Sequence, residues 1–189
     1  MTDKAKWEAR YASAEKFLRS PSAFLRENRD LLPREGLALD LAAGAGRNSV
    51  FLAQRGLEVI ALDISERALQ RCLQLARDRS ARVYAAVLDL KRFDIPANSF
   101  DCIVNFNYLQ RDLAPQITEG LKEGGLLVFE SLTLEHLRWK PDFNADFLLR
   151  PGEVKEMFRD LLLLRYREAT IRYGQVWRSV ASLAARKMK

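Results

Sequence analysis

The stretch LALDLAAGAGRNSVFLAQRG, Leu37 to Gly56, constrains this chain more than any other. A short apolar run gives way to a pair of glycines. A helix-period pattern follows from Arg47 to Arg55, with Gly56 placed to stop it. Strand, glycine turn and helix in that order outline a loop that brings backbone close to a nucleotide-like ligand. A dinucleotide fingerprint, G-x-G-x-x-G, would need glycines at 44, 46 and 49. Position 49 is Ser49, so the third glycine, which lets helix and strand pack closely, is missing. Asp40 is a second obstacle, because a carboxylate a few ångströms from a pyrophosphate costs on the order of several kcal/mol in a low-dielectric site, whereas beside an ammonium or sulfonium it attracts. The loop therefore suits a nucleoside with a zwitterionic tail. Gly44 and Gly46 let backbone approach that tail, and the N–H groups opening the next helix can receive its carboxylate.

The rest of the chain supplies a scaffold for such a loop. LALDLAA (37–43), LEVIALD (57–63), RVYAAVLDL (82–90), FDCIVNF (100–106) and LLVFESL (126–132) read as strands. Between them lie the helix after Gly46, a helix capped by Ser65 with Ala68, Leu69, Cys72, Leu73 and Ala76 on one face, and a helix over 115–122. This βαβ order dictates a parallel sheet with helices on both faces. Residues 133–150 form an irregular insertion before a helix at 152–160, and such insertions shape sites. Strands at 161–169 and 176–187, joined by a turn containing Gly174, add an antiparallel pair. Residues 3–32 read as helical pieces broken at Pro21. The expected fold class is thus α/β, doubly wound, with a mostly parallel seven-stranded sheet and a terminal antiparallel strand.

D-x-A-x-G-x-G (Asp40, Ala42, Gly44, Gly46) resembles the first motif of class I S-adenosylmethionine-dependent methyltransferases, with Ala42 where many carry glycine. The blocks WEARY, PSAFL, DLAAGAGRNSVFLAQRG, VIALDIS, NFNYLQRDLAPQI, LKEGGLLVFES and FLLRPGEV together look like the tellurite-resistance-type branch of that family, over nearly the whole chain. The resemblance implies a Rossmann-like methyltransferase domain over 35–189 under an N-terminal helical lid over 1–34. It implies S-adenosylmethionine as cofactor, S-adenosylhomocysteine as product, and no metal. Asp63, ending the second strand with Ile64 after it, would take the ribose hydroxyls, a device that dinucleotide enzymes share. Asp89 would face the adenine amino group, with the backbone of Leu90 reading the ring. Asn105 would lie at the floor of the methyl-donor site, Arg47 would meet the cofactor carboxylate, and Tyr11 would close over it. The chain departs from the pattern at Asn107, where an aromatic residue is common, and at KPDFNADF, which replaces a segment often carrying Arg-Asn-Pro.

Several of these residues admit plainer roles. Asp63 and Asp89 also fit strand-end caps, and Trp7 and Tyr11, on one helix face, also fit a core stripe. His136, the single histidine, is a surface histidine or a general base. Glu130 either faces the acceptor or accepts structural hydrogen bonds. Tyr108 and Arg111, just past Asn105, either line the acceptor pocket or, for Arg111, form a salt bridge. A sulfonium methyl is already activated, so in-line transfer needs mainly a nucleophile held about 3 Å away and exclusion of water. A base is required only for an acceptor protonated at neutral pH, and Tyr108, Glu130 and His136 are the candidates.

The expected activity is methyl transfer to a small-molecule acceptor. A nucleic-acid methyltransferase is the alternative, prompted by a net charge of +6, but that charge is spread along the chain, and NFNY lacks the Pro-Pro of base-amino methylators. A non-catalytic module that binds S-adenosylmethionine is a third reading. No stretch reads as a secretory leader or a membrane span, and Cys72 and Cys102 form no metal or disulfide pattern, so a cytoplasmic protein is expected.

Overall fold

The structure is a computed structural model and describes residues 2–13, 20–173 and 175–188. In chain order the elements are α1 (Asp3–Ser13), α2 (Ala23–Glu27), β1 (Leu37–Leu41), α3 (Arg47–Ala53), β2 (Glu58–Asp63), α4 (Glu66–Asp78) and β3 (Val83–Val87). There follow β4 (Phe100–Phe106), α5 (Leu113–Gly120), β5 (Leu121–Leu132), α6 (Glu153–Met157), β6 (Leu162–Tyr173) and β7 (Val176–Arg186). The strands form one seven-stranded sheet in the order β3-β2-β1-β4-β5-β7-β6. The β1, β2, β3, β4 and β5 pairings are parallel, and β7 runs antiparallel to both β5 and β6.

Strand order reverses between β1 and β4, which opens a crevice at the carboxyl ends of those strands. Alternation along each strand splits the core in two. Leu39, Leu41, Ile103, Leu127 and Phe129 face α5 and α6, where the Phe129 and Phe158 rings meet at 5.3 Å. Ala38, Val59, Val104 and Val128 face α2, α3 and α4. The helix expected after Ser65 is capped as its sequence asks, with the Ala68 amide donating to Ser65 Oγ at 3.2 Å. Leu69, Cys72, Leu75 and Ala76 are its buried stripe.

The antiparallel pair lies at one end of the sheet, as expected, with β7 between β5 and β6 and β6 at the edge. One feature departs from the sequence reading. β5 begins five residues before the expected LLVFESL, at Leu121, and runs through Gly124 and Gly125 with a register shift opposite Phe100 and Cys102, so those glycines lie within the strand. The insertion after β5 contains two short 3-10 turns, Leu134–Arg138 and Ala145–Phe147. Gly174, the expected turn residue, lies outside the described residues. So do 14–19, within the expected N-terminal helical segment. Among the described residues no helix is long and apolar enough to cross a membrane.

The N-terminal segment has two kinds of attachment. Phe24, Leu25 and Leu32 are buried in the sheet's α3 side, whereas α1 buries none of its residues. Polar contacts hold α1 instead: Asp3 to Lys91 at 2.7 Å, Arg67 to Glu8 at 3.3 Å, and the Glu66 amide to Glu8 Oε1 at 2.6 Å.

Ala42, which ends the β1 turn, has φ of 52°, the left-handed conformation that a glycine adopts freely. A non-glycine residue there is strained by roughly 1–2 kcal/mol, less the freedom that glycine adds to the unfolded chain. Ala42→Gly is therefore expected to raise stability by about 0.5–1 kcal/mol, read as roughly 1–4 °C in a thermal melt of a chain this size.

Candidate active site

The site is built at the carboxyl ends of β1, β2, β3 and β4. Asp63 organises it. Its Oδ2 accepts the Gly44 amide at 2.8 Å and its Oδ1 accepts the Ser65 amide at 2.9 Å, so one carboxylate ties the β1 loop to the entry of α4. Burial pushes its pKa up, while the amides of Ser65, Gly44 and Ile64 pull the other way. A carboxylate has about four acceptor positions, so each oxygen keeps one for a ligand hydroxyl.

The two motif glycines have different tasks. At Gly44, φ 58°, an added Cβ would run into the Tyr11 hydroxyl. At Gly46, φ 77°, it would run into Cys72 Sγ of α4. Gly44 therefore lies beneath Tyr11 of α1, and Gly46 makes room for helix packing beneath the loop.

Asp40 is 1% exposed, and Ser49 Oγ donates to its Oδ2 at 2.6 Å. The serine that breaks the dinucleotide fingerprint is thus the partner that Asp40 requires. Burial raises the Asp40 pKa to about 7, with Ser49 and Arg47 opposing and the Asp63 charge reinforcing. Asp89 accepts the Lys91 amide at 3.0 Å and caps the 3-10 turn Leu90–Arg92, in which Leu90 is buried. The Leu88 amide donates to Asp63 O at 3.0 Å, which sets the ends of β3 and β2 side by side. Asn105, in register with Leu41, is 1% exposed, and its Oδ1 has no hydrogen-bond partner among the described residues.

Tyr11 lies over this loop and is half-buried. Burial and the Asp63 charge push its pKa up to about 12. Its ring is 6.3 Å from that of Trp7, and its backbone oxygen accepts Arg71 Nη2 at 2.8 Å. The contacts of Asp3 and Glu8 carry α1 from the turn after Asp89 to the start of α4, across the mouth.

The three candidate bases lie apart. Tyr108 donates to Gln110 Oε1 at 2.6 Å and sits among Asp89, Asp112, Asp3 and Asp63; burial and these carboxylates push its pKa to about 12. Glu130 is buried beneath the N-terminal segment, accepting from Ser182 Oγ at 2.7 Å and Ser22 Oγ at 3.3 Å, with Arg167 at 3.6 Å. The Ser22 amide in turn donates to Asn48 Oδ1 at 2.9 Å. His136 is 5% exposed rather than on the surface, and its ring meets Phe143 edge-on at 5.6 Å. Arg111 makes a forked contact with Glu153, at 2.6 and 3.1 Å, and donates to the carbonyls of Asp146 and Leu148. It clamps the insertion to the loop after β4 and holds the Glu153 pKa down at about 2. Sequence alone gave no signal for the Glu130 knot, whose partners come from three distant segments. Among the described residues no group of three potential ligands could hold a metal ion.

Residues 38–125 match the family described as methyltransferase domain. The chain is 28% identical over 138 residues to the probable S-adenosyl-L-methionine-dependent methyltransferase TehB of Haemophilus influenzae, covering 69% of this chain and 47% of TehB. It is 32% identical over 164 residues to the malonyl-[acyl-carrier protein] O-methyltransferase of Salmonella typhimurium, covering 80% of this chain and 62% of that protein. The chain thus spans about half to three fifths of the length of these relatives. The crystal structure of Haemophilus influenzae TehB superposes with a TM-score of 0.75 at 21% identity, over 96% of this chain and 67% of that one. The methyltransferase domain over 38–125 is thus similar to those of S-adenosylmethionine-dependent methyltransferases.

Asp40 makes stability depend on pH in a definite direction. Its folded pKa of about 7 lies above the ordinary carboxylate value, so in the interval between the two the folded state binds more protons than the unfolded state. Stability from this group therefore falls as pH rises towards 7. Urea melts at pH 5 and pH 8 should show wild type losing more stability over that interval than Asp40→Asn, whose amide can still accept from Ser49.

Proposed function

We propose that this chain transfers a methyl group from S-adenosylmethionine, by in-line displacement, to a small-molecule acceptor, and works in the cytoplasm. The observation that carries this reading is the set of acids ending three adjacent strands, Asp40, Asp63 and Asp89, around a loop whose floor holds the unpartnered Asn105 oxygen. A buried carbonyl oxygen without a donor is costly, and a ligand ammonium supplies donors. Asp40, buried and poised near neutrality, gains from the same positive charge. A dinucleotide would bring a pyrophosphate into this acidic loop.

In this reading Asp63 accepts from the ribose hydroxyls with its remaining lone pairs, and Asp89 accepts from the adenine amino group beside the Leu90 backbone. Asp40 and Asn105 take the ammonium, and Arg47 meets the carboxylate. Ala42, Gly44, Gly46 and Ile64 supply close backbone, and Tyr11 on α1 excludes water. Bound S-adenosylmethionine supplies an activated methyl group, so this chain's own contribution is binding, orientation and desolvation. The small acceptor is supported by the kinship with TehB and with an O-methyltransferase that by name acts on malonyl-[acyl-carrier protein].

Calorimetric titration tests the cofactor directly. S-adenosylhomocysteine should bind and NAD should not; the reverse sinks the proposal. Asp63→Ala, which removes both the loop brace and the ribose acceptor, should weaken S-adenosylhomocysteine at least tenfold, about 1.4 kcal/mol. Affinity should also rise with pH up to about 7, because the ammonium binds the ionised form of Asp40, and level off above it. In Asp40→Asn that rise should vanish.

A further inference from the structure

Ser22 stands at the N-cap of α2, yet its hydroxyl caps nothing there. A serine in that place ordinarily accepts an amide of the first helical turn. Here its Oγ turns away and donates to Glu130 Oε1 at 3.3 Å, while its amide donates to Asn48 Oδ1 at 2.9 Å. Three segments distant in sequence meet at one residue: the N-terminal segment, β5 and the first turn of α3. All three side chains are buried, with Ser22 at 2%, Asn48 at 4% and Glu130 at 6% exposed. A buried polar chain whose members satisfy one another fixes a single arrangement of the segments it joins.

Both ends of this chain are held. Glu130 Oε2 accepts Ser182 Oγ of β7 at 2.7 Å, so the carboxylate is not free to follow Ser22. Arg167 of β6 reaches from Glu130, at 3.6 Å, to Glu27 in the last turn of α2, at 3.1 Å, and its guanidinium lies 5.2 Å from the Phe24 ring. The sheet therefore grips α2 at its start and at its end. On the other side, α3 begins at Gly46, which has no side chain to cap it. What its own side chains hold then places the first turn of α3. Asn48 holds the Ser22 amide, and the next residue, Ser49, holds Asp40 at 2.6 Å. The residue before, Arg47, is the one assigned above to the cofactor carboxylate.

We propose that Glu130 and Ser22 are positioning residues of the cofactor site, acting through Asn48 to hold the first turn of α3 where Ser49 meets Asp40 and Arg47 meets the cofactor. This rests on the methyltransferase reading. Neither Glu130 nor Ser22 is among the cofactor contacts proposed above, so an effect of either on the cofactor travels through Asn48. The anchored stretch that begins at Ser22 is then a working part of the cofactor site and not only a cover for the sheet.

The test reads S-adenosylhomocysteine affinity by calorimetry on the intact chain between pH 5 and pH 8. Glu130→Ala should weaken binding on the order of fivefold. So should Ser22→Pro, which fits the φ of −53° at that position while removing both the amide donor and the hydroxyl, and which serves if Glu130→Ala does not fold. Glu130→Gln keeps an acceptor for the Ser22 hydroxyl and should restore most of the affinity. The pH profile carries the specific signature. Ser49 holds the Asp40 pKa down, so loosening that bond raises it, and the pH at which affinity levels off should move up by about half a unit, the size expected of one hydrogen bond. Arg47 and Asp63, the charges that act on Asp40, are unaltered in these variants. Asn48→Ala combined with Glu130→Ala should bind no more weakly than Asn48→Ala alone, because one path is cut twice. Additive losses, or variants that melt earlier with unaltered affinity and pH profile, overturn the proposal. Urea melts without ligand keep it apart from the methyltransferase reading. Ser22→Pro should lose more stability than wild type between pH 5 and pH 8, since the folded pKa of Asp40 then stands further above the ordinary carboxylate value. Wild type that binds no S-adenosylhomocysteine defeats the methyltransferase reading, whereas an unchanged pH dependence of stability in Ser22→Pro defeats the positioning role.

Discussion

The pair of amide hydrogen bonds accepted by Asp63 is the constraint on which the rest of the site depends. Gly44 and Ser65 belong to loops that follow different strands, and a single carboxylate spaces them at 2.8 and 2.9 Å. A carboxylate this buried persists only when its oxygens are occupied, so loop geometry and ionisation state are one problem. The solution fixes where β1 may end, because the loop must present the Gly44 amide. It also fixes the place of Tyr11, whose hydroxyl occupies the space that a side chain at 44 would take. Asp40 sits one layer deeper and cannot share those amides. Ser49 is its answer, at the cost of the third glycine of a dinucleotide loop.

The sheet then divides labour between its two ends. On the β3-β2-β1 side, strand-end acids and a helix held by surface ion pairs surround the glycine loop. Exposed ion pairs contribute little stability, so α1 is attached by contacts that can be released without unfolding the core. On the β5-β7-β6 side, the N-terminal segment is pinned differently. Ser22 reaches both Glu130 on β5 and Asn48 on α3, while Phe24 and Leu25 enter the core. The chain is thus held by buried contacts between Ser22 and Leu32 and by surface contacts along α1.

Local signals were legible in the sequence and distant pairings were not. The βαβ order, the Ser65 cap and the strand-end positions of Asp40 and Asp63 follow from periodicity and turn chemistry within a few residues. The insertion of β7 between β5 and β6 does not, because hydrophobic alternation marks a strand without naming its neighbours. Gly124 and Gly125 lie outside the strand that alternation marks, because glycine weakens strand propensity, yet β5 runs through them past a register shift. Arg111 and Glu130 were ambiguous for the same reason. Their partners, Glu153 in one case and Ser22, Arg167 and Ser182 in the other, are remote in sequence. Asn107 did carry a signal, a departure from an aromatic position, but its partner Arg178 is remote in sequence.

The arrangement has an electrostatic logic that joins the two ends. Buried carboxylates lie about the glycine loop, and the charges of Arg178 and Lys140 act on His136 beyond β5, so potential changes sign across the edge of β4. In the proposed reaction a cationic donor lies towards the acids and is stabilised by them. Methyl transfer takes the positive charge off the sulfur. The acids must then be weak enough not to hold the charged donor too well. Asp40 meets that condition, since a carboxylate poised near pH 7 can take up a proton when S-adenosylhomocysteine leaves with its ammonium.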